Sequence, residues 1–63
     1  MKSVISETTM KLWYRVNEKY GDHIYTLGQN GLGEVVLCKE YEDLIACGTN
    51  REVQKVLREL LAK

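Results

Sequence analysis

Few residues in this chain could carry chemistry. Cys38 and Cys47 are the only cysteines and His23 is the only histidine. A nucleophilic thiolate needs a base, oxyanion-stabilising donors and a pocket. If Asn30-Gly31 turns a tight hairpin, His23 faces Cys38 and a Cys–His pair is formed. A chain of 63 residues has little volume for a pocket, so the pair reads as a packed cysteine beside a strand-end histidine, and no enzyme is expected. The two cysteines lack CxxC or zinc spacing, which predicts no metal and no cofactor. Both thiols are expected to stay reduced and mostly buried. Gly28, Gly31 and Gly33 are spaced G-x-x-G-x-G, unlike the dinucleotide fingerprint, and no helix follows them to aim its N-terminus at a phosphate. They read as a hairpin and its flanks. That leaves Trp13 between Lys11 and Arg15. Tryptophan and arginine are enriched at binding hot spots; the structural alternative is an indole that merely covers Thr26 and Gly28.

The elements that would position these residues follow from period and punctuation. Thr49-Asn50-Arg51-Glu52 is a capping box, and Val53, Val56, Leu57, Leu60 and Leu61 then mark one apolar stripe. A helix from Asn50 to the C-terminus is predicted. Upstream the period changes. Met10, Leu12, Tyr14 and Val16 alternate with Lys11, Trp13, Arg15 and Asn17, which predicts a strand. The same segment also fits a helix through Leu12, Trp13, Val16 and Tyr20 with Gly21 as its stop, but the clean alternation favours the strand. Residues 22–29 and 33–39 are β-rich runs around Asn30-Gly31, a strong signal for a two-residue type I′ turn. Tyr20-Gly21 is expected to turn the first strand into the second. Glu40-Tyr41-Glu42-Asp43 reads as an acidic turn, and Leu44-Ile45-Ala46-Cys47 as a short fourth strand.

The expected fold class is α+β: a small antiparallel sheet of three to four strands with one C-terminal helix packed on one face. Residues 1–9 read as a polar lead-in with freedom to move, and residues 10–63 as a single β-meander plus helix domain. With two-residue turns, Val16 faces Tyr25, Tyr14 faces Leu27, Tyr25 faces Val36 and His23 faces Cys38. One face then carries Leu12, Tyr14, Val16, Tyr25, Leu27, Val36 and Cys38 beneath the helix. The other carries Lys11, Trp13, Arg15, Ile24, Thr26, Val35, Leu37 and Lys39 with nothing to cover it, and these eight are the expected partner-binding residues. A one-residue slip would exchange the faces.

Composition narrows the function. Nine basic and nine acidic residues give a net charge of zero, with 44% hydrophobic residues. These values exclude a disordered tail, a multidomain enzyme and a strongly electropositive nucleic-acid binder. The first nine residues contain no apolar run of signal-peptide length, and no stretch would span a bilayer. A cytoplasmic, soluble protein is expected. The three-stranded sheet with a C-terminal helix resembles the N-terminal arm-binding domains of phage tyrosine recombinases. That resemblance covers residues 10–63 and is carried by Trp13-Tyr14-Arg15-Val16, Ile24-Tyr25-Thr26-Leu27-Gly28 and the final helix. It implies an open sheet face inserted into the major groove of DNA. This chain departs from the pattern in its neutral charge and its acidic turn at 40–43. The segment Ala46-Cys47-Gly48-Thr49 leading into a helix is also similar to the close of HicB-type antitoxins. The favoured function is a non-enzymatic protein-binding module, a regulator or inhibitor of a larger protein, acting through the open face on that protein or on a second copy of the chain. Nucleic-acid binding by the same face, using Lys11, Arg15 and Lys39 with Trp13, is the alternative; neutral charge weakens it.

Overall fold

A computed structural model describes residues 5–40 and 42–63. Its elements, in chain order, are α1 (Glu7–Tyr20), β1 (Tyr25–Gln29), β2 (Val35–Lys39), β3 (Asp43–Gly48) and α2 (Asn50–Ala62). The three strands form one antiparallel sheet in the order β1-β2-β3. The fold class is α+β, and the C-terminal helix is present as its capping box predicts. Thr49 Oγ1 accepts the Glu52 amide at 3.3 Å. Val53, Leu57 and Leu60 of α2 are buried. Among the described residues no helix is long and apolar enough to cross a membrane.

The segment expected to be the first strand is a helix, and the reason lies at its two ends. Ser6 caps it, its Oγ accepting the Thr9 amide at 3.3 Å. Glu7 in the first turn and Lys19 in the last complement the helix dipole. Gly21 stops it at φ +108°, with its N–H donating to the Asn17 carbonyl at 2.8 Å. No glycine or proline interrupts residues 7–20. Leu12, Trp13, Val16 and Tyr20 form the inner stripe, and Val16 is fully buried. Tyr14, on which the alternating pattern depended, is more than half exposed. Residues 7–9 of the expected lead-in therefore belong to α1, and Thr9 is fully buried. Residues 1–4 of that lead-in, and Tyr41 of the acidic turn, lie outside the described residues.

The two helices run parallel, a relation fixed by contacts at both ends. At one end Asn50 Oδ1 accepts from the Ser6 amide and from Thr9 Oγ1, each at 2.8 Å. Gln54 Nε2 donates to Thr9 Oγ1 at 2.9 Å. At the other end Tyr20 donates its hydroxyl to the Leu60 carbonyl at 2.7 Å. The Lys19 ammonium donates to the carbonyls of Leu60 at 3.2 Å and Leu61 at 3.1 Å, and to that of Lys63. These are the carbonyls that a helix end leaves unsatisfied. The pair packs on one face of the sheet over Tyr25, Val35 and Leu37.

The hairpin between β1 and β2 is wider than predicted. Asn30 and Glu34 pair through the backbone, and the Asn30 side chain organises the loop: its Oδ1 accepts the amides of Leu32 and Glu34, each at 3.0 Å. Gly33, at φ +82°, supplies the left-handed position. With five residues in the turn instead of two, Tyr25 opposes Lys39 instead of Val36. The displacement is three positions, an odd number, so the faces of β2 exchange.

Candidate functional site

The exchange decides what the protein shows to solvent. Val35 and Leu37, expected on the open face, are buried at the centre of the core. Val36 and Cys38, expected inside, turn outward. Of the eight residues predicted to share an open face, Thr26 alone lies there. Lys11, Trp13 and Arg15 are on α1. Ile24 precedes β1 and packs against the core. Lys39 ends β2, opposite Tyr25 on one side and Asp43 on the other. Trp13 is half-buried, and its indole N–H donates to the Tyr25 carbonyl at 2.9 Å, tying α1 to the outer edge of β1.

Register defines the uncovered face from the backbone up. Thr26, Cys38 and Leu44 form one row across the three strands, and Gly28, Val36 and Cys47 form the next. Ile45 is the extra residue of a bulge in β3 where the pairing shifts between Leu37 and Cys38. None of these seven residues is charged. Both helices lie on the opposite face, and Leu44 and Ile45 retain 62% and 39% of their exposure. Two rows of uncharged side chains with two exposed aliphatics make a surface that no element among the described residues covers.

One end of this face carries a small polar cluster that the sequence reading missed. Asn30 Nδ2 donates to Glu34 Oε1 at 3.1 Å and approaches Cys47 Sγ at 3.8 Å. The Cys47 thiol points to Glu34 Oε1 at 3.9 Å. Although Cys47 is exposed, the packed surface around its sulfur removes part of its hydration, and the nearby carboxylates add repulsion, Glu34 foremost; together they push the thiol above its ordinary pKa. The cluster forms only because the wide turn places Glu34 on the Cys47 side of the sheet. The signal for it was Asn30, whose side chain tends to hold an Asx turn as well as a type I′ one.

The chemistry considered for catalysis is not assembled. Cys38 lies opposite Thr26, so His23 does not face it. His23 is exposed in the turn after α1, at φ +74°. Both cysteines are free thiols, Cys38 half-buried and Cys47 exposed. Among the described residues no group of three or more histidine, cysteine or carboxylate side chains converges where a metal could sit. Comparison of the chain with protein-family models, with curated proteins and with solved structures finds no match.

Proposed function

We propose that this chain is a small protein-binding module, a non-enzymatic regulator or inhibitor of a larger protein, that acts through the uncovered face of its sheet. The observation that carries this reading is the uncharged surface of Thr26, Val36, Cys38, Leu44, Ile45 and Cys47, open on the side away from both helices. Folding gains nothing from keeping Leu44 exposed, because water contact with aliphatic surface is unfavourable. Docking against a partner recovers that term.

The nucleic-acid alternative loses its geometric basis. It needs Lys11, Arg15 and Lys39 together with Trp13 on one open face, and three of these four residues are on α1. A DNA backbone approaching the uncovered face would meet no cation among the residues that form it.

The test is affinity capture with the immobilised chain and its Leu44→Glu and Arg58→Glu variants. Leu44 and Arg58 are both exposed, so both variants keep the fold, which circular dichroism verifies. A host protein should be retained by wild type and by Arg58→Glu, and lost with Leu44→Glu. Retention indifferent to Leu44→Glu would reject the face as the docking surface.

A further inference from the structure

The chain is neutral overall, but its charge is sorted by layer. The two helices and Lys63, which follows α2, hold Lys11, Arg15, Lys19, Arg51, Lys55, Arg58 and Lys63, seven cations against the four acids Glu7, Glu18, Glu52 and Glu59. The strands and their loops hold one cation, Lys39, against the five acids Asp22, Glu34, Glu40, Glu42 and Asp43. Lys39 is opposite Asp43 across β2 and β3, an opposed pair of unlike charges. Glu34, beside Cys47, lies in the loop at one end of the strands, and Glu40 and Glu42 lie in the turn between β2 and β3 at the other, and no ion pair is formed by these three among the described residues. At the Glu34 end the Cys47 thiol points to the Glu34 carboxylate at 3.9 Å.

Area sets the size of what can dock. Strands ~4.8 Å apart with ~3.3 Å per residue make the face roughly 200–250 Å² in outline. A stable globular interface uses about 800 Å² per partner. The surface suits a single helix or strand of a partner and is too small to hold two folded domains together. Two copies meeting face to face would also bring their acidic rims into contact.

We propose that the uncovered face receives a cationic amphipathic segment of another protein, its apolar side on Val36, Leu44 and Ile45 and its lysines or arginines beside Glu34, Glu40 and Glu42. This rests on the docking surface proposed above and assigns the chemistry of its occupant. Opposite charge at the rim steers the segment and fixes its orientation, and the apolar strip supplies the affinity.

Fluorescence anisotropy with defined probes tests it. A labelled amphipathic Leu/Lys peptide should bind wild type, more weakly as ionic strength rises. Its Leu/Glu counterpart and a short DNA duplex should not bind. The Glu40→Lys/Glu42→Lys double variant should weaken the Leu/Lys peptide by about tenfold or more, Leu44→Ser should weaken it as well, and Arg58→Glu should leave it unchanged. Equal binding of both peptides, binding of the duplex at the face, or indifference to the rim variant would overturn the charge assignment. If capture of a host protein still depends on Leu44 in that case, the docking surface stands and its cationic occupant falls; if it does not, both fall. Sedimentation equilibrium adds one outcome: self-association abolished by Leu44→Glu would give the face to a second copy and overturn the proposal.

Discussion

Single residues determine how the uncovered face behaves chemically, and Cys47 is the most informative. Its sulfur is accessible yet sits beside the Glu34 carboxylate and Asn30. A thiolate there would lose hydration and face a like charge, so the protonated form is favoured and reactivity at neutral pH is suppressed. Alkylation by iodoacetamide should therefore rise with pH through a midpoint above that of an ordinary cysteine, about 8.5. Glu34→Gln should lower that midpoint and speed the reaction at neutral pH. Site-resolved mass spectrometry separates Cys47 from Cys38, and a midpoint unmoved by Glu34→Gln would remove the carboxylate from the account. At the neighbouring Gly48 the backbone takes φ +144°, and a Cβ would collide with the Glu52 carboxylate. Glycine at this last residue of β3 is favoured by its backbone conformation, since the carboxylate sits at the far end of the flexible Glu52 side chain and can move aside.

At the scale of elements, the helix dipoles explain why α1 and α2 need a device at one end. Parallel neighbours place like partial charges side by side: two N-termini near Thr9 and Asn50, two C-termini near Tyr20 and Leu60. Glu7 and Glu52 answer the first, and the Lys19 ammonium on three carbonyls of the α2 end answers the second. Lys19→Met should cost about 0.3–1 kcal/mol, with a deficit that shrinks at high salt as the dipole is screened. Thermal melts at two ionic strengths measure this; a salt-independent loss would make Lys19 a packing residue only. The sequence spells out α2 because capping box, stripe and preceding glycine agree. β3 was likewise readable, as four apolar residues before Gly48. In α1 two patterns overlapped: Met10, Leu12, Tyr14 and Val16 happen to alternate while Leu12, Trp13, Val16 and Tyr20 repeat at helical spacing. Ser6 and Gly21 settled the conflict, and a cap at Ser6 was the cue passed over. The faces of β2 depended on something smaller still. Asn30 can open either a two-residue or a five-residue turn, and pattern alone does not choose because both faces of β2 are aliphatic. Through that choice and through α1 the eight predicted residues do not share a face, and Thr26 alone lies on the side of the sheet away from the helices.

For the whole molecule, the question is whether the sheet and α2 could stand without α1, as a fold with one helix would. In such a small domain the total stability is about 3–9 kcal/mol at typical values per residue. Val16 is fully buried, and Leu12, Trp13 and Tyr20 pack against the core. Full burial of one such side chain contributes roughly 1.5–3 kcal/mol. Even at half that value for the three partly covered ones, α1 supplies an amount comparable to the whole margin. Its removal would also strip Tyr25 of the Trp13 hydrogen bond and leave Asn50, Gln54 and the α2 carbonyls without the partners that Ser6, Thr9, Lys19 and Tyr20 provide. The fragment 22–63 should therefore be unfolded in water, with no cooperative melt and amide resonances of narrow dispersion. Adding a synthetic peptide of residues 5–21 should restore helical and sheet signals in a concentration-dependent way, because the missing stripe is supplied in trans. A fragment that melts cooperatively alone would show that three strands and α2 suffice as a core, and that α1 is an addition to the fold instead of half of its helical layer.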